Sequence, residues 1–184
     1  LSHRFPDSAL LSEFDAIRIA AGQESLSALD GAARFLNAWH TRGDNAAGLI
    51  FAAGLGDFLS LTDVEIVAVT GNSMGWYTAL ACAGGVCATD GFRIANTMGT
   101  LMHRASIGGQ TLYPWMDQDW NPDAARKAQL MQLVAEINAV PEVILALSID
   151  LGGFLVLAGN TAGLAAFEGA VPVVQGRYPM RLGN

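Results

Sequence analysis

The stretch from residue 65 to residue 83 reads Glu65-Ile-Val-Ala-Val-Thr70, then Gly71-Asn-Ser-Met-Gly75, then Trp76-Tyr-Thr-Ala-Leu-Ala-Cys-Ala83. The first part is rich in β-branched residues and is typical of a buried strand. The last part lacks helix breakers and is followed by Gly84-Gly85, a common helix end. The pattern therefore predicts a strand, a sharp turn and a helix in immediate succession.

The turn matches the motif G-x-S-x-G, in which a serine is held on a strand-to-helix bend with its hydroxyl exposed. Glycines on either side of Ser73 leave room where the strand and helix backbones nearly touch. The helix that follows directs its free N–H groups and positive dipole end beside the serine, so the Met74 N–H is a natural oxyanion donor. We predict Ser73 as a nucleophile; the alternative is a tight turn in which Ser73 only caps the helix.

Helices are predicted for the rest of the first half. Asp7 and Ser8 can cap a first, broken helical region, a second helix follows Asn45, and Thr89-Asp90 caps a third that runs to about Ala105. With the strand and the turn, these elements predict an α/β, hydrolase-like core over residues 1–106.

The second half has a different texture after Gly108-Gly109. Its predicted elements are strand 110–116, a helix from 121–123 to about 138, strands 143–149 and 154–158 joined as a hairpin by Gly152-Gly153, helix 160–168 and strand 171–181. The order βαββαβ is the ferredoxin-like pattern. We therefore predict a small α+β lobe over residues 107–184.

Composition restricts the class of protein. The 184 residues are 52% hydrophobic and carry a net charge of −7, which argues against disorder and against a nucleic-acid surface. The long uncharged run Ile66–Thr89 is explained by the strand, turn and helix rather than by a membrane span. With no export signal in the given sequence, we expect a cytoplasmic protein, and Cys82 and Cys87 are interpreted as small buried residues. Asp117, Asp119 and Asp123 are expected to cap and solvate, and no metal is predicted.

The sequence resembles malonyl-CoA:acyl-carrier-protein transacylases and the acyltransferase domains of fatty-acid and polyketide synthases. The resemblance rests on Gly71–Gly75, on Ala79-Leu-Ala-Cys-Ala-Gly-Gly-Val86, on the helix 90–105 and on Val156-Leu-Ala-Gly159. It implies that Ser73 takes an acyl group from coenzyme A as an ester and passes it to the phosphopantetheine thiol of an acyl carrier protein. It implies no cofactor beyond the acyl-CoA substrate.

Two substitutions concern the substrate. The family usually has histidine where this chain has Asn72, next to the nucleophile. Met98 aligns with the arginine that pairs with the malonyl carboxylate, and a thioether cannot replace that bidentate pair. Arg93 and Arg104 are expected on other faces of the helix. An uncharged acyl group is therefore favoured, although Met98 could instead pack in the core.

Two parts of the family's machinery have no counterpart. None of the three histidines, His3, His40 and His103, matches the position of the general base, and each is interpreted as a surface or packing residue. The N-terminal loop that supplies a second oxyanion contact is also missing. We therefore expect a fragment that lacks both ends and its general base.

The remaining candidates are weaker. Trp76 and Gln110 could line the acyl pocket with Asn72 and Met98, although Trp76 could be core and Gln110 part of a hinge. Arg126 and Lys127, or Arg177 and Arg181, could meet an acidic carrier protein or could simply be solvated. Two further functions remain open: an acyl-thioester hydrolase of the same fold, and a non-catalytic module that docks a carrier protein.

Overall fold

The computed structural model describes residues 1–5 and 8–182, which form helices and one antiparallel sheet. The chain divides into two compact units, Leu1–Ala105 and Ser106–Asn184. At this level the prediction of a mixed α/β protein is confirmed. The predicted cap at Asp7 lies outside the described residues, and α1 begins at Ser8.

The first unit consists of helices in its described part. After a short 3-10 turn, Ser2–Arg4, they are α1 (Ser8–Ala20), α2 (Leu26–Asp30), α3 (Asn37–His40), α4 (Gly43–Leu59), α5 (Gly75–Cys82) and α6 (Ala88–Ala105). Phenylalanines from α1, α4 and α6 build the core: Phe14 stacks on Phe92 with ring centroids 4.2 Å apart and meets Phe51 edge-on at 6.1 Å. The predicted helices after Asn45 and from Thr89-Asp90 are confirmed.

Small residues bring α6 close to its neighbours. A Cβ on Gly99 would lie 2.3 Å from the Cβ of Ala47 on α4, and a Cβ on Gly91 would lie 2.9 Å from the Cβ of Ala81 on α5. Neither distance is possible in a real contact, so glycine is required at both crossings. These contacts fix α5, the helix that follows Ser73, against α6.

A buried arginine links three helices of this unit. Arg18 on α1 is fully buried and donates to the side-chain oxygens of Asn45 (2.7 Å) and Asn96 (2.6 Å) and to the carbonyl oxygens of Glu24 and Asp44. Burial lowers the pKa of this guanidinium, and the nearby carboxylates of Asp44, Asp15 and Glu24 oppose that shift. All three guanidinium nitrogens of Arg18 donate hydrogen bonds, which offsets the cost of burying the charge.

The predicted strand before the serine turn is wrong. Residues 64–70 form no strand and are almost entirely exposed, with the Val67 side chain 87% exposed. A strand needs a partner for its backbone N–H and C=O groups. Since the described elements of the first unit are helices, this β-branched segment has no neighbouring strand to pair with. The prediction that Cys82 and Cys87 are buried is also not met, because Cys82 is half-buried and Cys87 is exposed.

The second unit has the predicted order βαββαβ. Its elements are β1 (Gly109–Pro114), α7 (Ala124–Asn138), β2 (Leu145–Asp150), β3 (Phe154–Gly159), α8 (Thr161–Ala170) and β4 (Met180–Leu182). The strands lie in the order β2-β3-β1-β4, and each neighbouring pair is antiparallel. One buried cluster unites the sheet with α7 and α8, including Tyr113, Val134, Leu157 and Phe167.

The last strand is much shorter than the predicted range 171–181. Pro172 and Pro179 have no N–H to donate to a ladder. Gln175 and Gly176 have positive φ angles of 54° and 61° and make a turn, closed by the Val174 N–H donating to the Tyr178 carbonyl. Only Met180–Leu182 therefore pairs with β1.

Candidate active site

The serine turn has a backbone conformation that exposes the Ser73 side chain. Ser73 has φ of 52°, in the left-handed region that residues with a side chain rarely adopt, and its side chain is exposed. The turn is held by the Gly75 N–H donating to the Asn72 carbonyl at 2.8 Å and the Trp76 N–H donating to the Ser73 carbonyl at 3.1 Å. Strain of this kind at a polar residue is typical of functional sites.

Gly71 is required by this geometry and Gly75 is not. A Cβ on Gly71 would lie 2.1 Å from the Gly75 carbonyl oxygen and 2.7 Å from the Trp76 nitrogen. A Cβ on Gly75 would meet nothing within 4 Å. The predicted need for space is therefore confirmed at the first glycine, whereas nothing in the first unit's described residues requires the second.

The Met74 N–H lies at the entrance to α5. Met74 immediately precedes the helix and already has helical angles, φ −60° and ψ −23°. Within the described part of the chain no group accepts its N–H as a hydrogen bond. A free N–H beside the serine, at the positive end of a helix, can stabilise an oxyanion.

Two of the predicted pocket residues lie on the packed pair α5 and α6. Trp76 is 58% exposed and Met98 is 36% exposed, so neither is a core residue of the first unit. Further exposed apolar side chains accompany them on α5 and α6: Leu80, Ile94, Leu101 and Met102. This surface is apolar, although α6 also carries Arg93 and Arg104.

Gln110 lies in the second unit, whereas Ser73 lies in the first unit. It is half-buried on β1 and its Nε2 donates to the Ser148 Oγ at 3.1 Å. That bond links β1 to β2 across the sheet. Its predicted role in the acyl pocket stays a prediction.

The three histidines are placed in helices or turns of the first unit. His40 is buried, its Nδ1 lies 2.9 Å from the Leu36 nitrogen and its Nε2 lies 3.2 Å from the Leu29 carbonyl oxygen. His3 is exposed, and His103 is half-buried in the last turn of α6. No hydrogen bond joins Ser73 Oγ to a histidine within residues 1–5 and 8–182. The interpretation of His40 as a packing residue is confirmed.

Two of the acidic residues near position 120 accept hydrogen bonds from backbone N–H groups. Asp117 accepts from the backbone N–H of Asn121 at 2.8 Å and of Asp119 at 2.9 Å, and these bonds, led by that of Asn121, lower the pKa of its carboxyl. Asp123 accepts from the Arg126 N–H at 2.9 Å and caps α7. The predicted capping role is confirmed. Among the described residues no group of three or more His, Cys, Asp or Glu could hold a metal ion.

The four candidate cations of the second unit differ in their partners. Lys127 pairs with Asp150 and Arg181 pairs with Glu168. Arg126 and Arg177 instead lie over aromatic rings, each with Cζ 5.6 Å from a ring centroid, of Tyr113 and Tyr178 respectively. None of the described helices is long and apolar enough to cross a membrane.

A cavity of about 630 Å³ in the second unit was missed by the sequence analysis. Its lining comes from two distant segments, residues 113–133 and 154–175. Arg126 and Trp120 were visible in the sequence, but only tertiary packing brings them to the same cavity. The stretch rich in tryptophan and proline around Trp120 was the one signal that the sequence offered.

The fold is similar to that of solved malonyl-CoA:acyl-carrier-protein transacylases and of a related acyltransferase domain. The malonyl-CoA:ACP transacylase of Synechocystis sp. PCC 6803 aligns with a TM-score of 0.68 and 22% identity, covering 95% of this chain and 54% of that one. FabD from Acinetobacter baumannii aligns with a TM-score of 0.64 and 19% identity, covering 91% and 51%.

A third structure is a malonyl-transacylase in complex with a type II polyketide synthase acyl-carrier protein, at a TM-score of 0.67 and 18% identity, covering 92% and 52%. The chain thus spans about half the length of these structures. No protein-family model and no curated protein matches the sequence. The likeness establishes the fold, and the expected resemblance to this class is confirmed at that level.

Proposed function

We propose that this chain is part of a cytoplasmic acyltransferase that moves an acyl group from coenzyme A to the thiol of an acyl carrier protein, with Ser73 as the carrier. One observation carries the proposal: Ser73 is exposed at φ 52°, on a turn that requires Gly71, at the entrance to a helix. The fold shared with malonyl transacylases supports the same chemistry.

The reaction proceeds through two exchanges at one carbonyl carbon. The Ser73 Oγ attacks the thioester carbon, the C–S bond breaks, and coenzyme A leaves as a thiol with the serine proton. The carrier thiol then attacks the serine ester, the C–O bond breaks, and Ser73 regains a proton. In both steps the Met74 N–H donates to the oxygen that becomes negative. The neighbour solved with an acyl-carrier protein supports such a protein as the acceptor.

Proton transfer requires a base that we place outside the three histidines of this chain. Both ring nitrogens of His40 already contact backbone groups, and Ser73 Oγ has no histidine partner in the described residues. A serine without a base is a weak nucleophile. We therefore expect this chain alone to acylate slowly, and a residue outside it to act as the base.

The substrate is proposed to be an uncharged acyl group. Met98 occupies the position where a malonyl enzyme would need a cation, and Trp76 and Met98 present exposed apolar surface on α5 and α6. Arg93 faces a shallow groove shared with Glu13 and Ile17 of α1. No cofactor is needed beyond the thioester itself.

We also propose that the second unit has the ferredoxin-like arrangement and the first is part of a hydrolase-like core. The order βαββαβ with the antiparallel sheet β2-β3-β1-β4 supports the first assignment. The serine turn followed by α5 supports the second, although residues 64–70 before the turn form no strand.

The test is the intact mass of the protein after incubation with acetyl-, octanoyl- and malonyl-CoA, with Ser73→Ala as the control. We expect an adduct of acetyl or octanoyl mass in the wild type and none in Ser73→Ala. A malonyl adduct that exceeds the others would overturn the assignment of Met98. Because acylation without a base is slow, the incubation is prolonged. Absence of any adduct after that time, in protein shown to be folded, would favour a non-catalytic module that docks a carrier protein.

Hydrolysis is the second candidate because Ser73 is exposed, which leaves its ester open to water. The lifetime of the purified acyl-enzyme separates the two reactions. If the ester persists in buffer and is discharged by added pantetheine, the protein is a transferase. If it decays equally fast with and without pantetheine, the protein is a hydrolase.

A further inference from the structure

The second unit contains a cavity of about 630 Å³ whose lining includes none of the residues assigned above to acyl transfer. This volume is in the range of small-molecule sites. Its lining residues all lie between positions 113 and 175, whereas Ser73 belongs to the first unit. The cavity is therefore considered as a binding site in its own right.

Most of the lining is apolar. Its aliphatic and aromatic surface comes from Leu130 and Leu133 of α7, from Phe154 of β3, and from Val171 and Val174 of the loop after α8. Such a lining favours the burial of a hydrocarbon chain or ring.

The loop that carries Trp120, an aromatic residue of the cavity lining, is fixed by hydrogen bonds. Asp117 fixes the loop from residue 117 to residue 121 through three hydrogen bonds, from the backbone N–H groups of Asp119 and Asn121 and from the Asn121 side chain. Trp120, at φ 64°, lies against Phe154 with ring centroids 5.6 Å apart. A ligand would thus meet an aromatic surface that is already ordered.

One cation faces this apolar lining. The half-buried Arg126 guanidinium lies over the Tyr113 ring, and its Nη2 is 3.5 Å from the Tyr113 Oη. The Tyr113 hydroxyl itself donates to the Pro172 carbonyl at 2.8 Å, which fixes the ring. In the described part of the chain no carboxylate oxygen lies within 4.0 Å of the guanidinium. Arg126 therefore keeps N–H donors available for an anion.

The acids that share the cavity restrict the charge of that anion. Asp117 and Asp123 also line it, and each uses carboxylate oxygen to accept backbone N–H groups. Their negative charge disfavours a dianion such as a phosphate monoester, whereas a single carboxylate can pair with the fork of Arg126. We propose that this cavity binds a small monocarboxylate with an apolar body, the carboxylate on Arg126 and the body between Trp120, Phe154 and α7.

The test is titration of the full chain with sodium octanoate and with octanamide, its neutral isostere, by calorimetry and by ¹⁵N NMR. We expect octanoate to bind about tenfold more tightly than octanamide, since the amide offers Arg126 only one neutral acceptor oxygen in place of the charged, bidentate carboxylate. Amide shifts are expected in residues 113–133 and 170–175. Equal binding of the two compounds, shifts confined to other segments, or no binding of octanoate up to about 10 mM would overturn the proposal.

Variants of two arginines test whether Arg126 binds the carboxylate of octanoate. Arg126→Gln should weaken octanoate binding about tenfold and leave octanamide unchanged. Arg177→Gln is the matched control, because Arg177 also lies over a tyrosine ring at 5.6 Å but does not line the cavity. Equal loss in both variants would contradict the role of Arg126.

A second position keeps the test valid if Arg126→Gln unfolds. Val173 lines the cavity and is 71% exposed, so its replacement leaves the core intact. Val173→Asp should weaken octanoate binding and Val173→Lys should strengthen it, while octanamide binding stays constant. Octanoate affinity that does not respond to this change of charge would overturn the proposal.

Discussion

At the residue scale, the central feature is a serine held in a backbone conformation that serines seldom adopt. The motif predicted this correctly, because the need for a bend and for space at Gly71 is local to residues 71–76. The sequence could not show that a Cβ at Gly75 meets open space, since that depends on what surrounds the turn. Two glycines that look equivalent in the motif therefore differ in the structure.

Gly71→Ala should abolish the serine turn. The new Cβ would lie 2.1 Å from the Gly75 carbonyl oxygen, so the backbone must move and the Ser73 Oγ with it. We expect the rate of acylation by acyl-CoA to fall at least about tenfold, because small displacements of a nucleophile are costly.

Gly75→Ala is the matched control, since its Cβ meets nothing within 4 Å. It should keep both the melting temperature and most of the acylation rate. If the two alanine variants behave alike, the distinction between the two glycines is wrong.

Arg18 is a residue that the sequence analysis overlooked. It lies between the apolar residues Ile17 and Ile19, and in a helical pattern a cation there is expected to reach solvent. Instead it is fully buried among polar oxygens of α4 and α6. Only the tertiary structure reveals the asparagines that make this burial possible.

Arg18→Met should destabilise the first unit by about 3 kcal/mol, because the oxygens of Asn45, Asn96 and Glu24 lose a charged donor in a buried place. Thermal and urea unfolding would measure the change. Arg34→Met, at an exposed position, is the control and should shift stability by less than about 0.5 kcal/mol. A loss confined to that small range for Arg18→Met would show that the network contributes little.

At the element scale, the helices and the strands β1, β2 and β3 lie close to their predicted ranges, whereas the strand before the serine turn is absent. Helix α6 covers the expected range, since helical periodicity is a property of consecutive residues. Its predicted cap is wrong, because the helix begins at Ala88 and the Cys87 Sγ accepts the Asp90 N–H. Whether residues 64–70 form a strand depends instead on a partner elsewhere in the chain. The β-branched composition of residues 64–70 is typical of a strand, but it cannot show whether a partner strand is present.

Hydrogen exchange should distinguish this segment from a true strand. Backbone amides of residues 64–70 have no strand partner and are expected to exchange at nearly unprotected rates. The amides of β3, which is paired on both sides, should be strongly protected. Protection of 64–70 similar to that of β3, measured by mass spectrometry on the same sample, would contradict the exposed conformation.

At the scale of the whole molecule, each unit has a hydrophobic core of its own. The phenylalanine cluster belongs to residues 1–105, and the cluster around Tyr113 and Leu157 belongs to residues 106–184. We expect residues 106–184, expressed alone, to unfold cooperatively on heating and to give a dispersed NMR spectrum. A spectrum typical of a disordered chain would contradict this.

Two leucines paired across β2 and β3 provide matched variants that test the hydrophobic core of the second unit. Leu157 is fully buried and its register partner Leu147 is 38% exposed. Leu157→Ala should cost about 3 kcal/mol and Leu147→Ala less than about 1 kcal/mol. Equal losses would mean that the isolated unit lacks the core described above.

The central claim is that the acyl group is carried by Ser73, and mapping the adduct tests it most directly. Trypsin releases residues 43–93 as one peptide, which contains Ser73 and also the exposed Cys87. After incubation with octanoyl-CoA, tandem mass spectrometry should place the added mass on Ser73, and neutral hydroxylamine should leave this oxygen ester largely intact. Mass on Cys87 that hydroxylamine removes, or on a peptide outside 43–93, would contradict the assignment of Ser73 as the nucleophile.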